Sequence, residues 1–196
     1  MLFIMNQEIK VKQSEEKTIK LKVGVIIRQG EKIILIKERL NKNLSYGWNV
    51  CAGSWEEIDH DLKNAALREA KEEAGVDARI IGFYKAVLVN LSCAMKLQFF
   101  FIADAISEPK IPPKSEQEKL HEDIIECKAF APNEILQMND DEFISTTMAR
   151  ILKDYAINPS ILPLDSVAYF DSEVNFNSIS SISNSLQRRA GARIGE

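Results

Sequence analysis

Three glutamates crowd into one short stretch, Arg68-Glu69-Ala70-Lys71-Glu72-Glu73. On an α-helix each residue turns by about 100°, so Glu69, Glu72 and Glu73 share roughly one third of the circumference. Like charges four residues apart, here Glu69 and Glu73, cost a helix ~0.2–0.5 kcal/mol. A hard cation reverses the sign of that cost, and Mg²⁺ or Mn²⁺ prefers oxygen ligands of this kind. The same spacing also suits a solvated acidic face, with Arg68 paired to Glu72 at i,i+4 and Lys71 softening the charge. Helical periodicity alone does not separate the two readings.

The segment that carries these residues is the best helix former in the chain. Residues 61–74 (DLKNAALREAKEEA) are dominated by Ala, Leu, Lys, Glu and Arg. Asp59 or Asp61 can cap its start, Gly75 can end it, and Leu62, Ala65, Ala66 and Ala70 supply a small buried side. Upstream, residues 17–29 and 32–39 read as strands joined by the turn Gly30-Glu31. Trp48 to Ala52 forms a short apolar strand, and Gly53 to Asp59 a loop that carries Glu56 and Glu57. Downstream, 78–90 and 96–106 read as strands, 107–122 as a proline-bearing polar loop, and 123–130 as another strand. A short helix begins at Pro132, and a longer one spans 140–157 with Phe143, Thr147, Ile151 and Tyr155 on one side. This order predicts an α/β fold built on a mixed β-sheet.

The chain length of 196 residues fits one domain with a tail. A hydrophobic content of 45% with 28% charged residues excludes wholesale disorder. With 25 basic and 29 acidic side chains the net charge is −4, without the basic footprint of a general nucleic-acid binder. Cys51, Cys93 and Cys127 are scattered and form no CxxC pair, which predicts reduced thiols in a cytoplasmic protein. No apolar run reaches the ~18 residues of a membrane span, and the opening Met1-Leu2-Phe3-Ile4-Met5 lacks the basic start of a signal peptide. The expected organisation is an N-terminal extension over 1–16, a domain over 17–157 and a C-terminal extension over 158–196. Within the last, the Ser- and Asn-rich residues 171–196 are expected to be weakly ordered.

Arg68-Glu69-Ala70-Lys71-Glu72-Glu73-Ala74-Gly75-Val76 resembles REUXEEXGU, the second half of the Nudix box, where U is a bulky aliphatic residue. The strands before it, and the strands and last helix after it, also fit the Nudix (MutT-like) hydrolases. The resemblance implies the Nudix fold, an α/β/α sandwich with a mixed sheet. It implies cleavage of a pyrophosphate bond in a nucleoside di- or triphosphate, or in another group linked to a nucleoside diphosphate, with Mg²⁺ or Mn²⁺ as cofactor. By the family pattern Glu72 and Glu73 are main metal ligands, and Glu69 is a ligand or helps to deprotonate water. Arg68 orients the carboxylates, and Gly53 lets backbone approach the helix and the phosphates. Trp48 is a candidate for stacking on a base, as are Phe83, Tyr84, Phe99, Phe100 and Phe101. Arg39 and Lys37 are candidates for phosphate contact. An acidic residue from a later loop often completes such sites; Glu122 is the first choice here, ahead of Glu116 and Glu118. The expected partner is a small nucleotide-type substrate, with no membrane and no general nucleic acid, and the family's frequent homodimers set the expectation for assembly.

The first half of the box departs from the pattern. With Arg68 fixed, the box's leading glycine falls on Ser54, its first glutamate on His60, and the glycine before that on Asp59. Glu56 or Glu57 stands near enough to supply the missing carboxylate. These departures motivate an alternative, a catalytically degenerate domain that binds a nucleotide or a partner. A third reading compares Cys51 with the catalytic cysteine of isopentenyl-diphosphate isomerase, but the chain has only two histidines, His60 and His121, for a site that needs several. The usual proline of ADP-ribose enzymes and the tyrosine of diadenosine-polyphosphate enzymes are both missing near Asn90-Leu91. That leans towards a general nucleoside-triphosphate pyrophosphatase.

Overall fold

The computed structural model describes residues 18–39, 45–91 and 94–167. The expectations for 1–16, for Cys93 and for 171–196 fall outside those residues.

Among the described residues seven strands form one sheet: β1 (Thr18–Gln29), β2 (Lys32–Arg39), β3 (Tyr46–Asn49), β4 (Cys51–Ser54), β5 (Ala78–Asn90), β6 (Ala94–Ala105) and β7 (Ile124–Phe130). The order is β3-β2-β1-β6-β5, with β4 also paired to β1 and β7 also paired to β2. The β1–β6 pair is parallel and the other pairs are antiparallel, so the sheet is mixed. Among the described residues four α-helices complete the fold: α1 (Leu62–Ala74), α2 (Lys114–Leu120), α3 (Pro132–Gln137) and α4 (Thr146–Ile157).

Strand alternation divides the core into two layers. Val23, Val25 and Ile27 of β1, Ile34 and Ile36 of β2, and Phe101 and Ala103 of β6 face α1. Ile26, Leu35, Phe100 and Ile102 point the other way, towards Ile135 of α3 and Met148, Ala149, Ile151, Leu152 and Tyr155 of α4. The result is the expected α/β/α sandwich. Ala65, Ala66, Ala70 and Ala74 are fully buried, and their small side chains let α1 lie close against the sheet.

Several local differences from the sequence reading have physical causes. The loop expected over 107–122 contains α2, which buries only Gln117 and so lacks an apolar stripe to announce it. The Gln117 side chain donates to the Pro112 carbonyl and accepts from the Ile124 N–H, both at 2.8 Å. The strand expected over 48–52 is two strands: β3 pairs with β2, β4 pairs with β1, and Val50 lies between them. The last helix starts at Thr146, because the Ser145 hydroxyl caps it by accepting from the Met148 N–H at 3.2 Å. A 3-10 turn at Asp140–Glu142 precedes it, and Phe143 bridges to Trp48. Beyond α4, Leu162 and Phe83 exchange two backbone hydrogen bonds of 2.7 and 2.9 Å, which ties residues 158–167 to β5.

Candidate functional site

The site begins with the placement of α1. Asp61 caps the helix by accepting from the Asn64 N–H at 2.7 Å, and Gly75 ends it in the left-handed conformation at φ 64°. Glu69 and Glu73 lie on the same side as the buried alanines and are only 5% and 2% exposed. Gly53 of β4 is where backbone and helix meet. A Cβ there would collide with the Glu69 carboxylate and push it off its place beside Arg68.

Glu73 accepts a 2.7 Å hydrogen bond from the Ala52 N–H. Around it gather Glu38, from the end of β2, and Glu122, from the turn after α2. One carboxylate oxygen from each of the three lies within 4.8 Å of the others. Glu122 is placed through Gln117, whose carbonyl accepts the Glu122 N–H at 2.8 Å. Asn49 donates to Glu38 at 2.5 Å.

Burial is the main force on all three acids. It pushes the Glu73 carboxyl well above the usual range, and the neighbouring Glu38, Glu69 and Glu122 push it further. Glu38 is raised by burial against the opposing hydrogen bond from Asn49. Glu122 is raised by burial against the opposing charge of Lys22. Three crowded carboxylates that supply only oxygen are a donor set for a hard divalent cation, which would relieve their repulsion.

Beside this cluster Arg68 gathers a second set of groups. It donates to both oxygens of Asp59 at 2.8 and 3.1 Å, to Glu69 at 2.9 Å, to Glu72 at 2.8 Å and to the Ser54 carbonyl at 2.8 Å. The Asp59 hydrogen bonds raise the Arg68 guanidinium most, and in return they lower Asp59 below the ordinary carboxylate range. Burial pushes Glu69 up to about 7 against the opposing charge of Arg68.

The sequence grouped Glu69, Glu72 and Glu73. The fold brings Glu73 together with Glu122 and Glu38, and turns Glu69 and Glu72 towards Arg68. Glu116 and Glu118 are exposed on α2. Two participants were missed. Glu38 had a signal, because Ile34, Ile36 and Glu38 share one face of β2 and an apolar stripe there ends on a carboxylate. Asp59, one residue before the place where the box's first glutamate falls, forms an ion pair with Arg68. It does so because a 3-10 turn over Glu57–Asp59 ends at His60 in a left-handed conformation, φ 64°.

The residues expected at the substrate are placed differently. Trp48 is 6% exposed and packs edge-on against Phe130, with centroids 4.7 Å apart, so its ring belongs to the core. Phe83, Tyr84, Phe100 and Phe101 are buried too, and only Phe99 is partly open. Arg39 is committed to Asp123 at 2.7 Å and to the Tyr46 hydroxyl at 2.7 Å. Cys51 is buried beside Glu73, and burial with that neighbour keeps its thiol protonated, well above the usual range.

Residues 18–151 match the NUDIX domain family. No curated protein matches the chain by sequence. Among solved structures, a NUDIX hydrolase from Nitrosomonas europaea is similar at 20% identity and a TM-score of 0.63, over 79% of this chain and 99% of that one. The MutT protein from Methanosarcina mazei Go1 is similar at 19% identity and a TM-score of 0.57, over 74% of this chain and 98% of that one. A UDP-X diphosphatase is similar at 18% identity and a TM-score of 0.53, over 76% and 68%. Among the described residues no helix is long and apolar enough to cross a membrane.

Proposed function

Because the chain belongs to the NUDIX domain family, we propose that it is a metal-dependent hydrolase that cleaves a pyrophosphate bond in a nucleotide-type substrate. The observation that carries this reading is the meeting of Glu73, Glu38 and Glu122 from three separate parts of the chain. These three, with Glu72 at the outer edge, would hold Mg²⁺ or Mn²⁺. The bound cation would screen phosphate oxygens and acidify water.

The chain's own residues do the rest. Glu69 accepts a proton from the attacking water, since a carboxylate that titrates near neutrality is suited to that task. The water oxygen bonds to one phosphorus, the bridging P–O bond breaks, and two phosphate products leave. Arg68 is a positioning residue that fixes the Glu69 and Glu72 carboxylates. Gly53 lets β4 approach both the helix and the substrate. The buried, protonated Cys51 thiol disfavours the isomerase reading.

The test is a panel of nucleoside triphosphates, nucleotide sugars and dinucleoside polyphosphates with Mg²⁺ or Mn²⁺, the products being identified by chromatography. Metal-dependent cleavage of a phosphoanhydride is expected. Tight binding of one nucleotide with no cleavage of any would give the site to the non-catalytic reading.

Metal removal has its own expected outcome. Glu38, Glu69, Glu73 and Glu122 all have carboxyls raised above the ordinary ~4.3 of an unfolded chain. The folded protein therefore holds protons that the unfolded chain releases. This stabilising contribution is complete below that unfolded value and disappears as pH rises through the folded ones, Glu69 at about 7 among them. In a chelator the melting temperature should fall between pH 6 and pH 8. Mn²⁺ should restore it at pH 8 by at least about 4 °C. Parallel melting curves with and without Mn²⁺ would contradict the carboxylate assignment.

A further inference from the structure

Beyond α4 the chain changes faces of the sheet. Helix α4 packs on the layer of Ile26, Leu35 and Phe100, whereas Leu164 and Val167 pack in the layer of α1. The crossing is made at the outer edge of β5, where Leu162 exchanges backbone hydrogen bonds with Phe83. Ile161 lies so close over Gly82 that a Cβ there would collide with it. The crossing ends in a hollow of about 950 Å³ that the site above leaves unused. Trp55, Leu62, Phe101, Leu164 and Val167 supply its apolar lining, and Val167 is the last described residue.

From this hollow an apolar strip runs along the same face, away from α1. Strand register sets Val23, Phe99 and Ala86 in one row, Leu21, Leu97 and Leu88 in the next, and Ile19, Met95 and Asn90 in a third. Side chains two apart on a strand share a face, so these rows continue the layer that α1 covers at Val25 and Phe101. Among the described residues nothing seals the strip. Leu21, Met95, Leu97 and Phe99 are half-buried, Leu88 is 60% exposed and Ile19 64%. A contiguous apolar patch on an uncovered sheet face marks an interaction surface.

The residues that follow Val167 have the pattern to cover it. In 168–176 (AYFDSEVNF), Ala168, Phe170, Val174 and Phe176 alternate with Tyr169, Asp171, Glu173 and Asn175. That period of two, with only Ser172 interrupting the apolar set, is the signature of an extended segment with one side buried. The reach also fits. From Phe101 to Met95 the strand climbs roughly 20 Å, and the seven residues after Val167 span up to about 23 Å when extended. The N-terminal residues are placed less well, because Met1-Leu2-Phe3-Ile4-Met5 is separated from Thr18 by the mostly polar residues 6–17.

We propose that residues 168–176 dock on this strip as an extended segment, seated first in the hollow beside Trp55 and then over Phe99, Leu97 and Leu88. The partner of the surface is the chain's own C-terminal extension. Asp61 and Leu62, at the start of α1, line the same hollow, so the docked segment also braces the helix that carries Arg68 and Glu73. The expectation of weak order over 171–196 is thereby confined to 177–196.

The experiment uses the full-length chain. Hydroxyl-radical footprinting reads the side-chain exposure of Leu88, Met95, Leu97 and Phe99 in the parent and in two double variants. Phe170→Asp/Val174→Asp changes the apolar side of the segment, and Asp171→Asn/Glu173→Gln the polar side. The apolar-side variant should raise oxidation of the strip several-fold and shift tryptophan emission to the red through Trp55. It should also lower the melting temperature by about 5 °C. The polar-side variant should leave all three readings unchanged. Leu88→Asp tests the contact from the sheet: at an exposed position it spares the domain, and chymotryptic cleavage at Tyr169, Phe170 and Phe176 should accelerate. A parent whose strip is as reactive as that of the apolar-side variant would overturn the proposal. Protection that survives the apolar-side variant overturns it too, and its loss in Phe3→Asp/Ile4→Asp would then give the strip to the N-terminal segment. Protection that fades on dilution, with a dimer in sedimentation, would assign the strip to a second copy instead. Equal effects from both sides of the segment would contradict the extended docking. The hydrolase reading stands apart from all of these outcomes.

Discussion

Glu73→Gln is expected to lower metal-dependent turnover by a hundred- to a thousandfold, with no loss of folded stability in the metal-free protein. The two outcomes have one cause. Glu73 is 2% exposed and faces Glu38 and Glu122, so its negative charge is the least solvated of the group. Glutamine keeps the shape, and its carbonyl oxygen can still accept the 2.7 Å hydrogen bond from Ala52. Its amide can donate to a neighbouring carboxylate, which the native side chain cannot do when ionised. The buried repulsion falls, and so does the capacity to hold a cation. Chemical denaturation in a chelator at pH 8 should therefore give a variant at least as stable as the parent. The stabilisation that Mn²⁺ confers on the parent should shrink sharply. Unchanged turnover, in a preparation free of contaminating phosphatase, would remove Glu73 from the chemistry. A large loss of stability would instead make it a structural residue.

The parts of this arrangement that could be read from sequence are those with local signals. Helix α1 announces itself through composition, through Asp61 at its start and through Gly75 at its end. Both ends are where capping chemistry puts them. Alternation in β1 and β6 sorts Val23, Val25 and Phe101 from Ile26 and Phe100 without any knowledge of the partner helices. Glu122 could be ranked above Glu116 and Glu118 because it adjoins a strand, and strands fix side chains better than solvated helices do. What stayed hidden depends on distant contacts. Glu38 looks like an ordinary strand-end charge until β2 and α1 are assembled around it. Trp48 looks like a base-stacking residue until Phe130, more than eighty residues on, covers its edge. Glu56 and Glu57 stood as substitutes for the carboxylate missing at position 60, and Arg68 was paired only with Glu72. Its buried partner Asp59 is brought to it by a 3-10 turn, which follows from backbone conformation rather than from residue type.

Arg68 is the residue whose loss should be felt in stability and turnover together. Its side chain is 22% exposed and joins Asp59, itself 3% exposed, to Glu69 and Glu72 while also reaching the Ser54 carbonyl. Arg68→Ala leaves a buried aspartate and two crowded glutamates with no cation, which should cost about 3 kcal/mol near neutral pH. The sign of the pH dependence is fixed by Asp59. Arg68 holds that carboxyl below its unfolded value, so the stabilisation is present above the unfolded value of ~3.9 and is lost as pH falls through the folded one. The gap between parent and variant in urea denaturation should therefore be wide at pH 7 and close towards pH 3. Arg68→Lys separates charge from geometry. A single ammonium cannot reproduce a planar fork that makes five hydrogen bonds to four residues. The lysine variant should regain part of the stability while its turnover stays roughly a hundredfold below the parent, because Glu69 and Glu72 are no longer held at fixed positions. If lysine restored turnover as well as stability, positive charge alone would suffice at this position. The orienting role assigned to the guanidinium would then be wrong.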